Sequence, residues 1–496
     1  MECEGITANP LLIILILQHR FRWAFCQLEA LRYCFPPSVR QMLEELPETL
    51  DETYERMLRN IHKANRDHAH RLLQCLAVAV RPLRVTELAE VLAIDFGSAT
   101  SGGISMLNPN WRWEDQQAAV LSTCSSLISV VDQKGTQVVQ FSHFSVKEFL
   151  TSPRLACSNS DLSRFHIHLE PAHTILAKAC LGVLLRLNDG VLDGYDLEDN
   201  FPLAEYAAEH WVDHAQFGDV SLRIQEGMEE LFDPKKPFFA TWIQLHDIDT
   251  EPSMESTFYW FVVEPSKRFP DVVPLYYAAL CGFLHLAEHL IVNHPEHVDA
   301  NCGFYVSPLG AALGAGHFKV AQLLYEHGAD VDVRGHSNQT LLDCSASYGH
   351  RGVAEWLLHR GADPNIKNRF DWTPLHFAAA KGHSEIAEIL LVYEANNNAQ
   401  NDLGRIPLHC ASEWGHVNVA RLLLEHDSDV NSQDGAHCTP LHRALYEGKL
   451  DVARLLVEHG ADVDFLEDDE GRTAFQVASE KGYHDLAKWL SQNEKK

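Results

Sequence analysis

The chain has 496 residues, of which 46% are hydrophobic and 22% charged, and its formal net charge is −29. Such a composition excludes a disordered chain and leaves room for several domains with their own cores. The charge divides evenly, about −14 before residue 271 and about −15 after it; with no basic stripe anywhere, a nucleic-acid backbone is disfavoured as a ligand.

Residues 1–20 hold one apolar run, LLIILIL at 11–17. Seven residues are too few to cross a bilayer, which takes about 20. Glu2 and Glu4 before the run do not make a secretory signal either. A weak, atypical signal, a short amphipathic membrane contact, an atypical start and an isolated buried strand all stay open. Twelve cysteines lie scattered from Cys3 to Cys438 without a C-x-x-C pair, which points to free thiols in a reducing, cytoplasmic compartment.

Over 21–155 the spacing predicts a helical and winged-helix-like module. A helix covers 21–32 and stops at Pro36-Pro37. Thr49 with Glu52 reads as a capping box opening a helix with Tyr54, Met57, Leu58 and Ile61 on one face. A mostly apolar helix at 68–80 ends at Arg81-Pro82, and a short one comes next at 87–92. After a Gly/Ser-rich loop at 97–110 comes a helix at 117–126. Two β-rich runs, 127–131 and 137–141, then join through Gln133-Lys134-Gly135-Thr136 as a hairpin. Ser145 to Glu148 reads as another capping box. Three helices and a hairpin make a winged helix, either a DNA binder or a packing and regulatory module. Residues 156–235 read as a helical linker domain with helices at 172–184 and 203–215. The proline-broken stretch 236–270 reads as a connector that caps the N-terminal end of the last segment of the chain.

That last segment, 271–496, is periodic. Gly282, Gly316, Gly349, Gly382, Gly415, Gly448 and Gly482 stand 33 or 34 residues apart, most of them preceded by a Pro-Leu. The clearest copy is Thr373-Pro374-Leu375-His376-Phe377-Ala378-Ala379. A 33-residue period built on T-P-L-H-x-A is the signature of ankyrin repeats, each a β-turn and two helices. About seven units start near 273, 307, 340, 373, 406, 439 and 473. The third clear copy, starting near 373, commits Leu375, Ala378, Ala379, Ile386, Ala387, Ile389, Leu390 and Leu391 to stacking, and the 340 copy is degenerate, with Thr340-Leu341-Leu342-Asp343. The fold class is therefore mainly α, a winged-helix-like module plus helical linker followed by an ankyrin-repeat solenoid.

No catalytic constellation emerges. The phosphate-binding G-x-x-x-x-G-K-[ST] loop and the G-x-S-x-G elbow are absent. His210 and His214 have the i, i+4 spacing of zinc ligands, but Trp211 stands where a metalloprotease needs glutamate. The histidines of the T-P-L-H positions, His376, His409 and His442, are expected to bond backbone in a neighbouring turn. No cofactor and no metal are expected.

The stretches LPETLDETYERML, LAVAVRPLRVTELAEVLAIDF, LSTCSSLISVV, QFSHFSVKEFL and FPLAEYAAEHWVDHA resemble the middle of fungal NACHT-type signal-transducing NTPases that end in ankyrin repeats. The resemblance covers roughly residues 21–496. It implies a nucleotide-gated switch protein whose repeats hold a partner. Here the NACHT ATPase module is lacking, which puts ATP hydrolysis in doubt. Family naming also links the winged helix to a lipid-anchor deacylase, an activity that no serine-hydrolase motif supports here.

The function expected is that of a non-enzymatic scaffold binding a protein partner of unknown identity through the concave face of the repeats. The face is assigned to Arg369, Phe370, Trp372, Lys381, Arg405, Glu413, Trp414, Tyr446 and Glu447, with Leu403 and His437 beside them. Large aromatics and arginines are the types that anchor interfaces. The alternatives are a sensor fragment acting with an ATPase module in trans, or a winged-helix nucleic-acid binder.

Overall fold

The computed structural model describes residues 49–96, 105–124, 126–157, 161–187, 197–249, 273–303, 305–335, 338–463 and 472–493. The apolar run at 11–17, the helix expected over 21–32, most of the Gly/Ser loop and residues 250–270 of the connector lie outside them. The chain is mainly α and divides into two compact units, Met1–Ile248 and Asp249–Lys496.

In the first unit, Thr49 accepts from the Glu52 amide and Glu52 reaches back to Thr49, the expected capping box. The helix it opens, Leu50–Arg59, buries Tyr54 and Leu58. Next come the helix Arg66–Val78, strand β1 (Leu83–Arg84) and the helix Val85–Val91. A short ribbon of β2 (Ile94–Asp95) and β3 (Met106–Leu107), not expected from the sequence, precedes the helix Gln116–Cys124. The hairpin is β4 (Ile128–Gln133) and β5 (Thr136–Phe141), turned at Lys134 and Gly135 with φ of 55° and 88°. Both values suit the twist-matching two-residue turn. The sheet order is β1-β5-β4, so the two-residue β1, too short to show a period, completes the wing. One cap is corrected. The helix after the hairpin starts at Phe144 with His143 as N-cap, while the Ser145 hydroxyl is buried between Tyr54 Oη (2.7 Å) and His143 Nδ1 (2.6 Å).

Of two buried glutamates on Val85–Val91, Glu87 is held inside this module and Glu90 ties it to the helices beyond. Glu87 takes a fork from Arg81 (2.9 and 2.8 Å) and the Arg84 amide (2.7 Å). Glu90 accepts the Leu203 amide (2.7 Å) and pairs with Arg112, which also reaches the Asn200 carbonyl. Buried carboxylates persist where paired and hydrogen-bonded in this way. The helix Leu169–Leu184 packs on both Arg66–Val78 and Ala204–Ala215. Trp211, Phe232, Phe239 and Trp242 form one aromatic cluster, with Trp211 and Trp242 5.2 Å apart. The sequence division at 156 and 236 thus runs through continuous packing. The stretch expected to start the connector, Phe238–Leu245, is a core helix of the first unit.

The second unit is a succession of helix pairs: Pro274–Leu280 with Leu284–Asn293, Pro308–Gly314 with Phe318–Glu326, Leu341–Tyr348 with Arg351–Leu358, Pro374–Lys381 with Ser384–Val392, Pro407–Trp414 with Val417–Glu425, Pro440–Tyr446 with Leu450–Glu458, and Ala474–Glu480 with His484–Asn493. Proline at the first helical position presets φ where no amide is needed. From Leu341–Tyr348 onward each first helix lies against the next. Leu375, Ala378, Ala379, Ile386, Ala387 and Leu390 are buried, while Ile389 and Leu391 are only half-buried. The turn glycines all adopt left-handed φ, from 69° to 82°. At Gly382 a second reason applies: a Cβ would sit 2.5 Å from the His416 ring.

In several repeats the fourth position works across the repeat boundary. His376 Nδ1 accepts from Thr373, and its Nε2 donates to the Arg405 carbonyl, 29 residues on, at 2.9 Å. His409 repeats this with the Cys438 carbonyl at 3.0 Å. In the first repeat the same position is Tyr276, whose hydroxyl accepts the Tyr305 amide (3.1 Å), again 29 residues on. On the opposite loops Asn365, Asn398 and Asn431 each accept the amide of residue i+31, at 2.7 to 2.9 Å. Burial pushes His376 and His409 down to about 4. At the degenerate copy Asp343 takes the histidine's place, caps Thr340, and keeps its other oxygen buried without a partner among the described residues. Burial lifts this carboxyl to about 7.

Leu390→Ala should cost roughly 2–5 kcal/mol of unfolding free energy through the cavity it leaves, measured by urea denaturation. The Asp343 carboxyl is raised in the fold, so its contribution is full below about 4 and fades as pH rises through about 7. Asp343→Asn should therefore gain stability relative to the parent as pH rises from about 4 to about 7. Equal pH slopes for the two proteins would contradict the assignment.

Candidate partner-binding surface

The histidine pair of the first unit is not a metal centre in this fold. His214 is fully buried between His173 (Nδ1 to Nδ1, 2.9 Å) and the Tyr206 hydroxyl (2.8 Å), and desolvation pushes it down to about 3. His210 turns instead to Asp213 at 3.1 Å. Both rings serve packing. Cys75, Cys124, Cys281 and Cys410 are free and buried, and desolvation pushes each thiol up to about 12 or beyond, the opposite of a nucleophile.

On the repeats, the residues named from sequence occupy several different positions of the unit. Trp414 and Glu447 stand just before turn glycines and are exposed, and Lys381 is half-buried at the same position, its pKa lowered by burial. Tyr348 shares that position. It is 53% exposed against 44% for Trp414 and belongs to the same row, yet sequence reading passed over it. Its offset from Gly349 was the available signal. Because successive first helices lie side by side, Tyr348, Lys381, Trp414 and Glu447 line up across four repeats.

Glu413 and Tyr446 sit one position earlier, and Trp372 and Arg405 sit on the turn before the helix. Trp372 is half-buried against Phe377 (5.1 Å) and His376 (5.7 Å), so much of its ring is held by its own repeat. Arg405 reaches Glu413 at 2.8 Å, and Arg472 reaches Glu480 at 3.1 Å in the same eight-residue relation. Arg472 also donates to the Tyr446 hydroxyl at 3.0 Å. Arg369 is exposed and lies over the half-buried Phe370 ring at 4.5 Å. Of the expected site residues, Arg405 and Glu413 are thus tied into an ion pair and Tyr446 into a hydrogen bond.

The turns before the first helices share a polar base. Asn368, Asn401 and Asp434 hold the same turn position, each side-chain oxygen accepting two backbone amides of its own turn. Asp434 alone is charged. It is buried and receives Arg443 Nε at 2.8 Å, with Arg405 3.5 Å away. Burial works to raise this carboxyl, but the Arg443 hydrogen bond and charge outweigh it and leave it below the usual range.

Comparison with known proteins agrees with this architecture. Residues 275–368, 361–434 and 428–496 match the family model for ankyrin repeats, and residues 54–163 match that for the GPI inositol-deacylase winged helix domain. The second unit is an ankyrin-repeat array. The chain is 32% identical over 303 residues to an azaphilone pigments biosynthesis cluster protein L of Monascus ruber, covering 58% of this chain and 61% of that protein. It is also 30% identical over 80 residues to alpha-latrocrustotoxin-Lt1a of Latrodectus tredecimguttatus, covering 16% of this chain and 6% of the toxin. The chain thus spans less than two thirds of the length of the relatives it matches. Among the described residues no helix is long and apolar enough to cross a membrane.

Removing Asp434 strands Arg443 on a partly desolvated turn and leaves Arg405 with Glu413 as its ion-pair partner. Asp434→Ala should cost about 3 kcal/mol, the low end for breaking a buried pair because both arginines keep some solvent. Glu413→Ala, at a more exposed ion pair, should stay within about 1 kcal/mol in the same denaturation assay.

Proposed function

We propose that this chain is a non-catalytic scaffold that binds a protein partner along the flank of its ankyrin array. The reading rests on one observation above the rest. Tyr348, Lys381, Trp414 and Glu447 recur at the same position of four consecutive repeats, where the fold needs none of their side chains in its core. Large aromatics that are half exposed and set beside charged groups are the usual anchors of protein interfaces. The residues expected from sequence, Arg369, Phe370, Trp372, Lys381, Arg405, Glu413, Trp414, Tyr446 and Glu447, surround this row and form the proposed contact face. Ankyrin arrays serve protein interaction, and their stacked units present extended surfaces of this kind.

The winged helix takes the packing role in this reading. The helix Gln116–Cys124, which stands ahead of the wing, carries no lysine or arginine, and Glu114 and Asp115 precede it. The wing tip offers Lys134 alone, beside Asp132. A duplex backbone would find little cationic charge there. Derivation from a signal-transducing NTPase remains part of the proposal, on the strength of the sequence resemblance and the winged-helix match.

The test is a pull-down with the full chain as bait, followed by affinity measurement with the captured partner. Proteins encoded beside this chain are the first candidates, given the pigment-cluster relative. Trp414→Ala and Tyr348→Ala should each weaken binding about thirtyfold if central, equal to about 2 kcal/mol. The same changes should leave stability within about 0.5 kcal/mol. Unchanged affinity in both variants would move the site elsewhere, and micromolar nucleotide binding by the pure chain would overturn the non-catalytic reading.

A further inference from the structure

Several histidines of the array already have structural work. His376, His409, His383 and His416 each commit a ring nitrogen to a backbone carbonyl of an adjacent repeat. One pair departs from this pattern. After the helix Leu284–Asn293 the chain runs His294-Pro295-Glu296-His297, and Pro295–His297 closes a single 3-10 turn. His294 Nδ1 faces Glu296 Oε1 at 3.3 Å, and His297 Nε2 faces the same oxygen at 3.9 Å. The two imidazoles stack at 5.2 Å. His297 Nδ1 is buried with no hydrogen-bond partner among the described residues. The fold thus holds two imidazoles and a carboxylate together without using either ring to join repeats.

We infer that His294, Glu296 and His297 form a binding site for one divalent cation of the zinc class at the end of the first repeat. Their ligand atoms all lie within 4.8 Å of one another. A tetrahedral ion with bonds near 2.0–2.1 Å sets its ligands about 3.3 Å apart, so the His294–Glu296 separation already fits and the two separations to His297 must close by side-chain rotation. Imidazole and carboxylate donors select zinc, cobalt, nickel or copper, whereas calcium and magnesium need more oxygen ligands. Pro295 and the 3-10 turn restrict the backbone that carries all three groups. The site lies just past the C-terminus of a ten-residue helix, the end that favours a cation. Three protein ligands leave a coordination position open to water or to a side chain of a partner.

The test uses the full chain freed of metal, with cobalt(II) followed by its visible absorption and zinc followed by calorimetry. One ion should bind per chain, and zinc should raise the unfolding temperature. His294→Gln and His297→Gln should each weaken binding at least about tenfold, a loss that even an outer-shell partner brings when removed. Glu296→Gln should do the same. His426→Gln, an exposed histidine on a different repeat, should leave the affinity as it is. The double variant His294→Gln/His297→Gln should lose the ion while its circular dichroism matches the parent. Unchanged affinity and stoichiometry in that folded double variant, an equal loss in His426→Gln, or no binding by the parent would overturn the assignment.

Discussion

Everything in the second unit depends on polar groups that reach across a fixed number of residues. A single helix pair cannot bury its apolar face, so each repeat must be held in register with the next. The register is kept by side chains whose partners lie 29 or 31 residues further on: His376 to the Arg405 carbonyl, His409 to the Cys438 carbonyl, Asn365 to the Asn396 amide. The histidine bonds are partly or fully buried, where an unmade one is costly, while the asparagine bonds lie on exposed loops. They therefore set the 33-residue period as firmly as the leucines and alanines beneath them. Tyr276 shows that the requirement is for a polar atom at the right reach, not for histidine as such.

Substitutions at that position change the local physics without breaking the array. Asp343 is shorter than histidine and spends its reach on capping its own helix, leaving one oxygen buried and, among the described residues, unpaired. The boundary it guards is then sensitive to proton uptake, in the sense opposite to that of the histidines. A buried histidine loses stability as pH falls below about 6.5 towards its folded value near 4; the buried aspartate loses it as pH rises towards 7. The two windows overlap between about 4 and 6.5, so in neighbouring repeats the opposed slopes partly cancel there.

The first unit uses a different device for the same end. Its wing, helices and aromatic cluster are joined by Glu87 and Glu90, two carboxylates on one short helix that gather arginines and amides from three segments. Removing water from such groups is expensive, so they specify one arrangement more than they add net stability. The proposed binding flank of the array shows the exposed version of the same chemistry, with Arg405 and Arg472 each braced by a glutamate eight residues on.

Much of this was legible in the chain itself. The glycine period, the T-P-L-H motif, the Thr49 capping box and the Lys134-Gly135 hairpin are local rules, set by φ, by orphan amides and by side-chain spacing, and no distant residue is needed to read them. The residues of the binding flank were only half legible. Their exposure follows from repeat position, but Tyr348 emerges only when rows are compared across stacked helices, and the loss of Arg405 to Glu413 and Asp434 is a fact of three-dimensional proximity. Ser145 likewise looks like a cap in sequence and is a buried partner of Tyr54, 91 residues away. Strand β1 is two residues long and exists because β5 pairs with it. The sequence by itself determined the repeat, its turns and its apolar faces; tertiary structure decided which polar groups remain for a partner, because hydrogen bonds between distant residues consume donors and acceptors that no local pattern reveals.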